Sequence, residues 1–143
     1  MGPPRWAEPF VAVPYRDGGR DFAGADCWGL VRLVMRERGG VSLPSYGEIA
    51  ASERARVARR MTKDSDGGPW LPVDAPRALD VVVMFADAKV GGRFRRLRGH
   101  VGIMVDDRHV LHTEEETGAS IARITADDVR HRIACFRRHE ALA

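Results

Sequence analysis

The most regular hydrophobic pattern in the chain starts at Cys27. From there, apolar residues recur at the i, i+3, i+4, i+7 and i+8 positions that share one face of a helix: Cys27, Leu30, Val31, Val34 and Met35. Asp26 is a suitable N-cap residue, and Gly39 and Gly40 are suitable stop residues. The pattern therefore predicts a helix that begins at Cys27 and buries one face.

The second half of the chain alternates with the period of two that is typical of strands. Short segments rich in β-branched residues predict strands at residues 80–86, 100–105, 109–113, 120–124 and 132–138. Ahead of them, residues 49–61 predict a short arginine-rich helix and residues 64–76 a turn-rich segment. The first 24 residues, with four prolines and four glycines, predict an irregular segment with a turn at Asp17. Helices followed by an antiparallel sheet are an α+β layout.

Length and composition predict one globular domain. The 143 residues, 44% of them hydrophobic and 30% charged, fit a single domain over residues 1–143. No run is long enough for a membrane span, and the N-terminus MGPPRWAEPF lacks the apolar core of a Sec signal. The net charge is only +3 and no nucleic-acid-binding motif is present, so we do not expect nucleic acid recognition.

Cys27 has two interpretations. A cysteine at a helix N-terminus faces backbone N–H groups and the positive end of the helix dipole, which favour the nucleophilic thiolate and could hold an oxyanion. The alternative is a small, buried core residue, the commoner fate of a lone cysteine. Position alone does not decide, so a base is needed. Both Cys27 and Cys135 are interpreted as thiols, because one bridge would consume the nucleophile.

Two of the five histidines are predicted to meet. If residues 106–108 form a three-residue loop, Val105 pairs with His109, and Gly102 pairs with His112. His100, two residues from Gly102, then shares a face with His112. A two-residue turn would shift the register and place His112 on the opposite face. Under the first register Cys27, His100 and His112 can act as nucleophile, base and orienting residue.

Other chemistry is less well supported. Cys27, His100, His112 and Cys135 lack the short spacing of structural zinc sites, so we expect neither a metal nor a cofactor. Cys135 is predicted to be a buried strand residue, and His131 and His139 to lie on the surface; His109 receives no role. The sequence GRFRRLRG at residues 92–99 is interpreted as a solvated loop, with binding of stem-peptide carboxylates or of a partner protein as the alternative.

Several segments, in order, resemble the NlpC-type peptidoglycan cysteine peptidases. Tyr15, in VPYRDGGRDF, is similar to the tyrosine that precedes the nucleophile in that family. The sequence DCWGL from Asp26 resembles its DC-x-G-L motif, HVGI from His100 its H-V-G-I strand, and the Leu-His pair ending at His112 the next strand. The resemblance implies a compact papain-like fold, with N-terminal helices packed on a five- to six-stranded antiparallel sheet.

The resemblance also implies an activity. The expected reaction is hydrolysis of a stem-peptide amide of peptidoglycan, typically between the γ-carboxyl of D-glutamate and diaminopimelate, by a thiol endopeptidase. Cys27, His100 and His112 would be catalytic. Tyr15, Asp26 and Trp28 would line the substrate and oxyanion region, with Asp26 more suited to capping the helix than to acting as a base.

Trp28, which follows the cysteine, most resembles the phage-tail and gene-transfer-agent branch. This branch implies a protein made in the bacterial cytoplasm, carried with tail-tip or hub proteins of a phage-like particle, and active in the target cell periplasm. Two alternatives stay open: a structural tail-tip component that mainly binds its neighbours, and a cytoplasmic amidase or acyltransferase on the same scaffold. The chain departs from the family at Leu79, where glycine is usual and where we expect a looser turn, and in the long basic segment 87–99.

Overall fold

The computed structural model describes residues 2–45 and 68–143. The helix predicted over residues 49–61 lies outside the described residues. The opening segment is more regular than expected. A 3-10 turn, Arg5–Ala7, leads into a short helix α1, Glu8–Val11, and two short strands follow, β1 at Arg20–Asp21 and β2 at Gly24–Ala25. Pro9 in the first turn of α1 suits a helix start, because its missing N–H would have no helical partner there.

The helix predicted at Cys27 is present. Helix α2 spans Cys27–Val34 and continues as a π-helical turn, Met35–Gly39. The carboxylate of Asp26 accepts a hydrogen bond from the backbone N–H of Gly29 at 2.9 Å, which is the N-cap contact that the sequence predicts. Gly40 ends the helix in the left-handed region, with φ 65°.

A six-stranded antiparallel sheet forms the second half of the protein. Its strands lie in the order β3-β8-β4-β5-β6-β7. They are β3 at Trp70–Val73, β4 at Val81–Val90, β5 at Arg93–Met104, β6 at His109–Glu114, β7 at Gly118–Arg123 and β8 at Ile133–His139, with a short helix α3, Asp127–Arg130, before β8. The predicted papain-like α+β fold is confirmed.

Two parts of the sheet differ from the prediction. Strand β3 falls in the segment predicted to be turns; it lies at the sheet edge, where Pro72 is tolerated. The arginine-rich segment interpreted as a loop is instead the first half of β5, paired with β4 around a turn at Gly91 and Gly92. Positive φ angles of 58° and 81° at these glycines make that tight reversal possible.

Two hydrophobic clusters use alternate positions of the sheet. The first joins α2 to Val101, Ile103 and Leu111. The second contains Met84, Met104 and Val110 and is covered by Val129 of α3. Alternation along β5 and β6 thus buries both faces of the sheet near its centre. Helix α2 therefore packs across β5 and β6, the two strands that carry His100 and His112.

The turn before β4 is well held, although looser packing was expected there. Leu79 has φ 74°, and it is the single non-glycine residue with positive φ in the described part of the chain. The neighbouring Asp80 carboxylate accepts from the Arg77 backbone N–H at 2.9 Å. It also accepts hydrogen bonds from Nε and Nη2 of Arg138, each at 2.8 Å. These contacts offset the strain, on the order of 1 kcal/mol, of a side chain in this conformation.

Candidate active site

Cys27 is the first residue of α2, and its side chain is only 2% exposed. It belongs to the cluster that joins α2 to Val101, the residue after His100. The thiol therefore lies at the positive end of a helix and within packed apolar surroundings. Both interpretations of Cys27 share this burial, so the surrounding polar groups must distinguish them.

Asp26 holds the loop that presents Cys27. Besides the Gly29 amide, its carboxylate accepts from the Gly18 amide at 3.0 Å and from Arg20 Nη1 at 2.7 Å. The side chain is 1% exposed. Asp26 was predicted both as a cap and among the residues lining the substrate. Its contacts tie two turns and the helix together, which is the capping role.

Gly29 lets the loop approach the helix closely. A Cβ at this position would lie 2.0 Å from the carbonyl oxygen of Gly19, which is far inside contact distance. The glycine of the DCWGL motif is therefore required by packing against the loop that carries Arg20. The same contact fixes the first turn of α2, which begins with Cys27.

Tyr15 and Trp28 flank the start of α2. Tyr15 is half-buried and forms an isolated parallel bridge with Ala25, two residues before Cys27. The indole N–H of Trp28 donates to the Pro44 carbonyl at 2.8 Å. The structure thus places both predicted site residues beside the loop that precedes Cys27, and the indole N–H of Trp28 is used in a hydrogen bond within the protein.

His100 and His112 are brought into direct contact. Strands β5 and β6 pair Ile103 with Leu111, which is the register of the predicted three-residue loop. His100 Nε2 lies 2.9 Å from His112 Nδ1, and the side chains are buried. His100 stands next to a register shift in the β4–β5 ladder, a feature that often re-aims side chains at active sites.

The contact between the rings restricts their tautomers. Only one proton fits between His100 Nε2 and His112 Nδ1. If His100 carries that proton on Nε2, its Nδ1 is the basic nitrogen, and His112 is the acceptor that fixes the tautomer. Burial lowers the pKa of His112, the Arg132 charge lowers it further, and Glu114 and Asp128 oppose the shift. A neutral His112 is the state that this acceptor role requires.

This lowered pKa predicts how stability depends on pH. Below the ordinary histidine value of 6.5, the unfolded chain binds a proton that folded His112 does not, so stability is lost as pH falls. His112→Asn keeps an acceptor facing His100 but does not titrate. We expect its free energy of unfolding to fall less than that of the wild type between about pH 7 and 5. Denaturant unfolding across this range, with His131→Asn as control, measures the difference; equal slopes would contradict the prediction.

The loop between β5 and β6 is built by Asp106. Its carboxylate accepts from the amides of Arg108 and His109, at 2.8 and 2.7 Å, and from the His109 ring at 2.9 Å. Burial raises the pKa of Asp106, but these hydrogen bonds outweigh it and lower the value below its usual range. His109, to which the sequence assigned no role, therefore stabilises the turn that sets the register of the histidines.

Glu114 is a site residue that sequence reasoning missed. Its Oε1 lies 3.6 Å from His112 Nδ1 and 3.7 Å from His100 Nε2, and it also accepts from Arg132 Nη1. The signal was its position two residues after His112, which places both on one strand face. Donor atoms of the three residues lie within 4.8 Å of one another, as in a metal site. In the structure the two histidines are hydrogen-bonded to each other, and Glu114 is bonded to Arg132.

The remaining sequence predictions concern the second cysteine and the outer histidines. Cys135 lies on β8 opposite Val83 and is half-buried, less buried than predicted. His131 is exposed, and His139 is half-buried against Trp70. Among the described helices, none is long and apolar enough to span a membrane.

Helix α2, with Cys27 at its N-terminus, packs across the two strands that carry the hydrogen-bonded histidines. This arrangement suggests a papain-like hydrolase. Comparison with known proteins identifies the family. Residues 12–138 match the NlpC/P60 family. The chain belongs to the NlpC/P60 family. Members are generally cysteine peptidases that hydrolyse peptidoglycan. No curated protein sequence gives a significant match to the chain.

Solved NlpC/P60 structures share the fold at low sequence identity. A Staphylococcus aureus protein described as similar to a lipoprotein of the family has a TM-score of 0.55 and 19% identity, over 97% of this chain and 44% of its own. The NlpC/P60 domain of the peptidoglycan hydrolase SagA has a TM-score of 0.54 and 17% identity, over 92% and 90%. A Bacillus cereus family protein has a TM-score of 0.59 and 19% identity, over 100% and 42%. The chain thus spans less than half the length of two of these proteins.

Proposed function

We propose that this NlpC/P60 protein is a cysteine endopeptidase that cleaves the stem peptide of peptidoglycan, at the amide between the γ-carboxyl of D-glutamate and diaminopimelate. The observation that carries the proposal is the buried contact of 2.9 Å between His100 and His112. It lies on the two strands crossed by the helix that begins at Cys27. A histidine whose far nitrogen is held by a second polar residue is the arrangement of a general base with its orienting group.

The reaction follows from these groups. His100 takes the thiol proton of Cys27, and the thiolate attacks the carbonyl carbon of the scissile amide. The oxyanion that forms is held in part by the backbone N–H of Cys27 at the start of α2. The C–N bond then breaks, and the departing amine takes the proton from His100. Water, deprotonated by His100, hydrolyses the thioester, and the thiol is restored.

The flanking residues have separate roles in this reaction. Tyr15, tethered to Ala25, is assigned to contact the substrate or the oxyanion through its hydroxyl. Because the N–H of Trp28 is already bonded to Pro44, Trp28 is assigned to contact the substrate through its aromatic ring only. Asp26 acts through the loop it holds, and so it positions the thiol without touching the substrate.

We further propose that the protein works as part of a phage tail or tail-like particle during DNA delivery. On this proposal it is made in the bacterial cytoplasm and acts in the target cell periplasm. Trp28 in the DCWGL motif supports the assignment through its resemblance to that branch. The hairpin of β4 and β5 supplies a surface for tail-tip or hub proteins, because Phe94 at its tip is 80% exposed between Arg93 and Arg95.

The same hairpin supports a second candidate function, a structural tail-tip component that keeps the fold and acts mainly by binding neighbouring proteins. Aromatic residues and arginine are enriched in protein–protein interfaces, and Phe94 between two arginines supports this function. The two candidates differ in whether the protein alters peptidoglycan. They are separated by one digestion experiment.

The test uses purified diaminopimelate-type peptidoglycan, with the products identified by mass spectrometry. We expect new termini at the bond between D-glutamate and diaminopimelate, because Cys27, His100 and His112 provide a complete nucleophile and base. The control is the same digestion with lysine-type peptidoglycan, which tests the substrate class. A well-folded protein that releases no new termini from either polymer would contradict the peptidase and favour the binding function.

A further inference from the structure

Glu114 lies against the hydrogen bond between the two histidines. One carboxylate oxygen, Oε1, is 3.7 Å from His100 Nε2 and 3.6 Å from His112 Nδ1, the two atoms that share the proton. Both distances are longer than a hydrogen bond, so the carboxylate does not compete for the proton as a third hydrogen-bond partner. It acts on the pair through its charge instead.

Arg132 fixes the carboxylate in this position. Its Nη1 donates to Glu114 Oε1, and its Nε donates to the Phe85 carbonyl at 3.3 Å. The guanidinium is thus held by strand β4 while it binds a residue of β6. Both side chains are about one-third exposed, at 31% and 33%, so water partly screens their charges.

We propose that Glu114 is a positioning residue for the proposed peptidase: it stabilises the imidazolium of His100 while Cys27 is a thiolate, and Arg132 limits that stabilisation. The inference rests on the proposed function. A negative charge 3.7 Å from His100 Nε2 favours the ion pair of thiolate and imidazolium over the neutral pair. The positive charge of Arg132, which is bonded to the same carboxylate, opposes this.

Three charged groups act on His112: Glu114 on β6, Arg132 before β8 and Asp128 on α3. Glu114 and Asp128 favour protonated His112, whereas burial and Arg132 oppose it.

The test measures alkylation of Cys27 by iodoacetamide as a function of pH, in a Cys135→Ala background. The rate follows the thiolate and needs no peptidoglycan, so it can fail independently of the proposed function. In Glu114→Gln we expect the midpoint of thiolate formation to rise, with alkylation about 3- to 10-fold slower below that midpoint. In Arg132→Gln we expect the midpoint to move in the opposite direction.

Opposite shifts distinguish a charge effect from loss of local structure, which would move both variants in the same direction. Glu116→Gln, which removes an exposed carboxylate in the adjacent turn, is the matched control and should leave the profile unchanged. Wild-type profiles in both variants, or shifts of the same sign, would overturn the inference. If Glu114→Gln does not fold, the Arg132→Gln variant alone tests the inference: a lower midpoint supports it, and an unchanged or higher midpoint overturns it. On peptidoglycan, Glu114→Gln should lower kcat and leave KM unchanged.

Discussion

Replacement of Cys27 by alanine is expected to abolish peptidoglycan hydrolysis while the protein stays folded. The substitution removes the sulfur atom that we propose attacks the substrate, and binding alone does not cleave an amide. Loss of a catalytic nucleophile typically lowers kcat by at least about 10³-fold. Because the side chain is small, the free energy of unfolding should change by only about 1 kcal/mol.

The comparison that isolates this effect is Cys135→Ala. It removes the other thiol, from β8, and should keep full activity. Release of soluble stem-peptide fragments, measured beside thermal unfolding of each variant, gives both quantities. Hydrolysis by a folded Cys27→Ala protein would show that another group attacks the substrate.

Replacement of Asp26 by alanine is expected to have the largest effect on stability. The carboxylate accepts hydrogen bonds from the backbone N–H groups of Gly29 and Gly18 and from the guanidinium of Arg20. The Asp26 side chain is only 1% exposed. Without it, two amides lose their acceptor and Arg20 keeps a largely buried charge. Breaking a buried pair of this kind costs about 3–5 kcal/mol. Activity should fall too, because the loop that presents Cys27 loses its anchor.

Asp26→Asn separates the two contributions in this loop. The amide oxygen can still cap α2 through the Gly29 N–H, but the charge that pairs with Arg20 is gone. We expect its free energy of unfolding, from denaturant titration, to lie between those of the wild type and Asp26→Ala. If the alanine variant unfolds at the wild-type denaturant concentration, Asp26 does not anchor the loop.

The parts of the site that could be predicted depend on local signals. A cap at Asp26, a period near 3.6 and a glycine stop define α2 within a few turns of chain. The register of β5 and β6 is equally local, because Asp106 and its neighbours close a loop that fixes which residues pair. Once the register is known, strand alternation places His100 beside His112.

The parts that could not be predicted depend on partners distant in sequence. The arginine-rich half of β5 has the composition of a loop, and only its pairing with β4 makes it a strand. Strand β3 contains Pro72 and needs β8 beside it. Arg132 reaches Glu114 only after β8 returns to the centre of the sheet. Leu79 occupies a left-handed position that favours glycine, because Asp80 and Arg138 fix the turn.

The separation of the two histidines from Cys27 along the chain has a consequence for folding. The contacts of Asp26 span at most eight residues, and the contact between His100 and His112 spans 12. Contacts this short close with little entropic cost, so each half of the site can form early and independently. Docking of α2 onto β5 joins segments far apart in sequence and is therefore expected to be slow. A nascent or partly folded chain would hold the loop that precedes Cys27 and the hairpin that carries the histidines, but the proposed active site would form only after the two meet.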